Sequence, residues 1–190
     1  MKCICRVCGQ EKSIDLFERD SRSKTGTTTR CKACKYVSNS KSAKAYARLR
    51  ERQNKYPIPV ETDRQEFDVI FEHMDDSCSY CGCEYTRTPT VDHIQALKNG
   101  GRHHISNLTL VCKSCNSAKC NKPLLVYYEQ NFFNFPQNNL NSVVHYIAYF
   151  SGRTFDEVVE ELEEQKRKYC EARGWDYYAT DFIRRTAEAS

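Results

Sequence analysis

Nowhere in the 190 residues do about 18 apolar residues run together, so no helical membrane span is expected. Nor does an apolar stretch follow the start: Met1-Lys2-Cys3 opens directly into a cysteine pattern, read as the absence of a secretory signal peptide. A cytoplasmic protein is expected, in the host-cell cytoplasm if a phage encodes it. Apolar residues are also in modest supply, at 39%, with a mean hydropathy of −0.74. That favours several small cores over one large one. Acidic residues are scarce at the amino-terminal end. Residues 1–56 hold 15 Lys/Arg against 5 Asp/Glu, a net of +10, whereas 57–125 carry −2 and 126–190 carry −4. A basic third of this kind points to a polyanionic partner, most simply nucleic acid.

Cysteine, by contrast, is plentiful: there are 12. In a reducing cytosol these are not expected to form disulfides. Eight fall into four Cys-x-x-Cys pairs, Cys5/Cys8, Cys31/Cys34, Cys78/Cys81 and Cys112/Cys115. Four thiolates drawn from two such pairs close a tetrahedral zinc site, so two structural zinc ions are expected. The first would be held by Cys5, Cys8, Cys31 and Cys34, with Cys3 in place of Cys5 as an alternative register. The second would be held by Cys78, Cys81, Cys112 and Cys115. Cys83, Cys120 and Cys170 stay outside both sets.

The chain divides on composition into four parts. Residues 1–35 read as an amino-terminal zinc module of treble-clef or ribbon type, with Gly9 after the second thiolate, Leu16 and Phe17 buried, and a loop or hairpin over Ser21–Arg30. So little apolar content leaves the metal to supply most of the folding energy, on the order of 10 kcal/mol. Residues 36–57 form a basic helix and linker: Lys35–Tyr56 lacks Gly and Pro and is rich in Ala, Lys and Arg. Lys41, Lys44, Arg48 and Arg52 are its candidate nucleic-acid contacts, above a thin stripe of Tyr36, Ala43, Ala47 and Leu49. Pro57-Ile-Pro59 ends it, and Thr62/Asp63 cap a helix that buries Phe67, Ile70, Phe71 and Met74. Residues 58–125 make the central domain. Residues 126–190 form a helical accessory region, with a capping box at Thr154/Glu157, Phe155 and Val158 facing inward, and a last segment of Trp175, Tyr177, Tyr178 and Phe182.

Between the second pair of knuckles stand Val91-Asp92-His93-Ile94, Gly100-Gly101, Asn107-Leu108 and Cys112-Lys-Ser-Cys115-Asn116, then Lys119. Thr90–Ile94 and Asn107–Cys112 are strand candidates, and a helix is expected from near Ser114. This ordered set resembles the HNH endonuclease family over roughly Cys78 to Lys122. The amino-terminal module is more loosely similar to zinc modules ahead of HNH domains in phage-type endonucleases. The fold class implied is α+β, built of small zinc-stabilised modules around a ββα-metal core, with a helical carboxy-terminal region.

The resemblance implies a metal-dependent endonuclease acting on double-stranded DNA, with RNA as an alternative substrate and a non-catalytic zinc-built nucleic-acid-binding protein as the other reading. His93 would be the general base, since an imidazole takes a proton near neutral pH. Asp92 and Asn116 would bind one divalent ion, Mg²⁺ or Mn²⁺. Asn107 would hold the loop and orient His93 through its amide. Lys119, Arg102, His103 and His104 would lie within reach of phosphate. One such site cuts one strand, so double-strand cleavage would take a homodimer or two successive events. Homing, defence, DNA packaging and recombination all remain open as biological roles.

Overall fold

A computed structural model describes residues 1–74, 76–86 and 88–178. Phe182 lies outside the described residues. The chain forms two compact units, 1–47 and 48–190, and each folds around its own cysteine cluster.

The first unit opens with two short hairpins. Strands β1 (Lys2–Ile4) and β2 (Glu11–Ser13) pair antiparallel, as do β3 (Phe17–Arg19) and β4 (Thr27–Cys31). Its apolar core is only Cys5, Phe17 and Cys31, with Cys3 and Cys34 packed alongside. Leu16, expected inside, is 47% exposed, because it sits in the 3₁₀ turn Ile14–Leu16 that aims it at solvent. Helix α1 (Lys32–Asn39) follows from the last knuckle. The single basic helix expected over 35–56 is instead two. Ser40 interrupts it, its Oγ accepting from Ala43 N at 3.1 Å, and caps a new helix, α2 (Lys41–Lys55). A serine hydroxyl that satisfies an orphan N–H favours a helix start over a helix interior.

In the second unit, α3 (Arg64–Met74) begins with a reciprocal cap. Asp63 Oδ1 accepts from Glu66 N at 2.8 Å and Glu66 Oε2 accepts from Asp63 N at 3.0 Å. Phe67, Ile70 and Phe71 are its buried face. Strands β5 (Thr90–His93) and β6 (Leu108–Val111) pair antiparallel in the register Thr90↔Val111 to His93↔Leu108, and α4 (Lys113–Lys119) follows directly. This is the expected ββα unit. Helices α5 (Leu124–Gln130), α6 (Gln137–Ser151) and α7 (Phe155–Glu171) complete the chain.

Those three helices contribute to the same core as the second knuckle pair. Cys78, Tyr80, Val111 and Cys115 pack in one cluster with Leu124, Leu140, Val144, Val158 and Leu162. Tyr128 on α5 donates its hydroxyl to the carbonyls of Ser79 (3.2 Å) and Tyr80 (3.1 Å), fixing the turn between the cysteines. The capping box at Thr154/Glu157 is present, with Glu157 N donating to Thr154 Oγ1 at 3.3 Å and Thr154 N to Glu157 Oε2 at 2.8 Å. Truncating a side chain at the centre of this cluster removes transfer energy and leaves a void. Leu140→Ala, at 0% exposure, is therefore expected to cost about 2–5 kcal/mol in urea unfolding of the metal-loaded chain. A cost below about 1 kcal/mol would show that α6 does not share this core.

Candidate active site

The two cysteine sets assemble as expected. In each, the four sulfurs lie within 4.8 Å of one another, close enough for one tetrahedral ion. Cys5 rather than Cys3 completes the first set. Backbone amides also point at the sulfurs: Cys31 N lies 3.3 Å from Cys5 Sγ, and Cys112 N lies 3.3 Å from Cys78 Sγ. The hydrogen bonds from Cys31 and then Cys8 pull the Cys5 thiol down to about 5, favouring the thiolate that a metal needs. Cys83 and Cys120 are exposed, and Cys170 is buried away from both clusters.

Asp92 and His93 close β5, and both side chains are buried. Asp92 Oδ2 accepts from the Tyr80 hydroxyl at 2.8 Å and pairs with Lys119 Nζ at 2.9 Å. Lys119 also donates to His93 O at 2.8 Å and is 0% exposed. The expectation that Lys119 reaches a phosphate is therefore corrected. Its ammonium is committed to the Asp92 carboxylate and to the strand backbone, with no path to solvent. Asp92 Oδ1 is left without a hydrogen bond from a described residue, and so is the half-buried amide of Asn116 on α4.

His93 Nε2 lies 2.8 Å from His103 Nδ1, with the rings edge to face. Burial first, then the positive fields of His103, Arg52 and Lys119, press the His93 imidazole down to about 3, so it is neutral at physiological pH. His103, expected as a loop residue within reach of phosphate, is instead 0% exposed. Sequence reasoning names His103 only in that loop role and does not single out Tyr80 at all. Nothing local marks either one, since each acquires its partner across the fold.

The loop between the strands is shaped by two glycines and one amide. A Cβ at Gly101 would stand 2.0 Å from the Gln95 carbonyl oxygen, so no larger residue fits without moving the chain. Asn107 Oδ1 accepts from Gln95 N at 2.7 Å, and its Nδ2 donates to the carbonyls of Gln95 (3.0 Å) and Arg102 (2.9 Å). Asn107 thus bridges Gln95 and Arg102 across the loop, but its amide has no bond to His93, whose ring partner is His103. Arg102 lies on the surface and pairs with Glu61, its Nε 2.8 Å from Oε1. His104 is half-buried and bonded to Ser106.

Asp92 and His93 line one groove of 310 Å³ together with Arg52, Tyr56, Leu97 and Cys120. Arg52 is exposed there, and its charge is felt by both His93 and His103. Lys41, Lys44 and Arg48 are exposed on α2. Chemically the groove combines a neutral imidazole, a carboxylate with one oxygen unbonded among the described residues, and an exposed guanidinium.

Residues 78–122 match the family model described as HNH endonuclease. Among solved structures, the chain is similar to the rare-cutting HNH restriction endonuclease PacI, at 17% identity over 70% of this chain and 90% of that one, with a TM-score of 0.40. It is also similar to the Type II-C Cas9 enzyme from Actinomyces naeslundii, at 21% identity over 70% of this chain and 14% of that one, with a TM-score of 0.36. No curated protein matches the chain.

The Asp92–Lys119 pair carries its own test. Lys119→Met strips a buried carboxylate of its countercharge, and is expected to cost about 3–5 kcal/mol in denaturant unfolding. A loss under about 1 kcal/mol would mean that water already solvates Asp92.

Proposed function

We propose that this chain, whose residues 78–122 belong to the HNH endonuclease family, hydrolyses phosphodiester bonds in double-stranded DNA. The observation that carries the reading is the shared groove, where the neutral His93 imidazole and the Asp92 carboxylate meet the exposed guanidinium of Arg52. Phosphodiester hydrolysis needs a base for water, countercharge for the phosphate, and rigid placement of both.

In this reading, the His93 ring nitrogen not engaged by His103 takes a proton from the attacking water, whose oxygen bonds to phosphorus as the bond to the leaving 3′ oxygen breaks. A base pressed to about 3 is uncharged but weak. Asn107 contributes by locking the loop that frames the groove. The Asp92 Oδ1 and the Asn116 amide oxygen have no hydrogen-bond partner among the described residues, and oxygens of this kind suit a hard divalent ion. Mg²⁺ or Mn²⁺ held there would supply charge neutralisation at the scissile phosphate and at the leaving oxygen.

The two four-cysteine clusters are read as closed structural zinc sites with no part in the chemistry. Lys41, Lys44, Arg48 and Arg52 on α2 would follow the DNA backbone, and Arg102 would add a weaker contact because Glu61 already pairs with it. One site of this kind nicks one strand.

Purified protein should nick supercoiled plasmid with Mg²⁺ or Mn²⁺ and prefer it to matched RNA. His93→Ala should lower the rate about 10²–10⁴-fold while zinc stays near two per chain by metal analysis. Unchanged cleavage by His93→Ala would sink the mechanism. Arg52→Ala should weaken DNA binding irrespective of sequence and lessen the log–log salt slope by about 1. An unaltered slope would remove Arg52 from the contact surface.

A further inference from the structure

We infer that His103 is a positioning residue for His93: its Nδ1 accepts a hydrogen bond from the His93 Nε2–H, which leaves His93 Nδ1 as the nitrogen that works on water. The inference rests on the reading of His93 as the base and goes beyond it by assigning a second histidine.

Three observations converge on it. First, the His103 ring is 0% exposed, and its one polar partner among the described residues is His93 Nε2, at 2.8 Å. Its Nε2 is buried with no partner among the described residues. A buried polar nitrogen without a hydrogen bond is a cost that an apolar side chain of similar size would avoid. Packing therefore does not explain why a histidine stands there.

Second, the backbone that carries the ring is pinned from two directions. The His103 carbonyl accepts from Glu61 N (3.0 Å), Thr62 N (3.2 Å) and Thr62 Oγ1 (3.3 Å), with a bridge between Val60 and His103. One residue earlier, the Arg102 carbonyl is held by Asn107 Nδ2 at 2.9 Å. A ring mounted this rigidly can fix the angle of the ring it touches.

Third, the bond lies on Nε2 of His93, so only Nδ1 remains for a water. An imidazole that accepts a proton at Nδ1 must already hold one at Nε2, and that N–H needs an acceptor inside the fold. His103 Nδ1 is the acceptor in place. In that tautomer the one ring N–H of His103 is on Nε2, which has no partner among the described residues. The burial cost at that atom thus falls on the arrangement that keeps His93 ready to act.

The test uses the geometry of amide side chains. An asparagine at 103 can place its Oδ1 where Nδ1 stands, whereas a glutamine places its amide nearer the Nε2 position, and a leucine offers neither. With the full, metal-loaded chain, His103→Asn should cleave plasmid within about tenfold of the parent. His103→Gln and His103→Leu should each lose about 10²–10⁴-fold in kcat with little change in KM, the range for losing a correctly set general base. Zinc content and melting temperature, measured on all three, should stay near the parent's.

Equal activity in the Asn, Gln and Leu variants overturns the assignment, and so does an Asn variant as slow as the Leu variant. Loss of cooperative folding in His103→Asn overturns it as well, because the histidine would then be a packing residue. His93→Ala, run alongside, separates the two levels. If it cleaves normally, the base itself is misassigned. If it is inactive while the His103 variants all cleave normally, only the positioning role fails.

Discussion

The centre of the second unit is a buried ion pair. Asp92 comes from β5 and Lys119 from the last turn of α4, with Tyr80, from inside the cysteine knuckle, completing the set. Opposite charges in a poorly solvated site attract strongly, and each would be expensive alone, so the three elements are held in one arrangement. Lys119 adds a bond to the His93 carbonyl, which stops the strand end from drifting. The pair engages one Asp92 oxygen and leaves the other uncommitted. One contact therefore shapes the ββα unit and decides which oxygen of Asp92 is engaged inside the fold.

Around that centre the work is divided between two kinds of site. In the first unit the cysteine cluster closes hairpins that have almost no apolar core of their own, with Phe17 the largest buried side chain of the cluster. The second cluster, by contrast, is built into the core of α5, α6 and α7. A closed thiolate set has no position left for substrate. The groove has the opposite character, with oxygen and nitrogen donors, an exposed arginine and no thiolate cluster. Soft sulfur donors and hard oxygen donors select different ions, so the two kinds of site need not compete for one metal.

What could be read in the sequence followed from spacing. Four Cys-x-x-Cys pairs, two strand-like runs around Gly100-Gly101, and the box at Thr154/Glu157 are local signals, and each corresponds to an element of the fold. What could not be read depended on partners distant along the chain. Lys119 looked like a phosphate ligand because a lysine one turn after Asn116 is normally solvated; Asp92, 27 positions earlier, is what buries it. His103 looked like a phosphate contact on the loop beside Arg102 and His104, yet the segment 60–62 and His93 enclose it. Ser40 could have been recognised, since a serine with helix formers on both sides is a cap as readily as an interior residue. Leu16 follows from the turn type, which hydropathy does not reveal.

Neighbouring residues on a strand point to opposite faces, and Asp92 and His93 obey this: one side chain turns toward Lys119 and Tyr80, the other toward His103. Both nevertheless line the same groove, because His93 is the last residue of β5 and the chain leaves the sheet directly after it. For the proposed hydrolysis this divergence is useful. A base and a cation-binding oxygen on the same face would crowd one another, and the cation's charge would further weaken an imidazole already held low. Splitting them across the strand end keeps the carboxylate on the helix side and the imidazole on the loop side. A phosphate lying between them would meet water from one direction and countercharge from the other, as an in-line displacement requires.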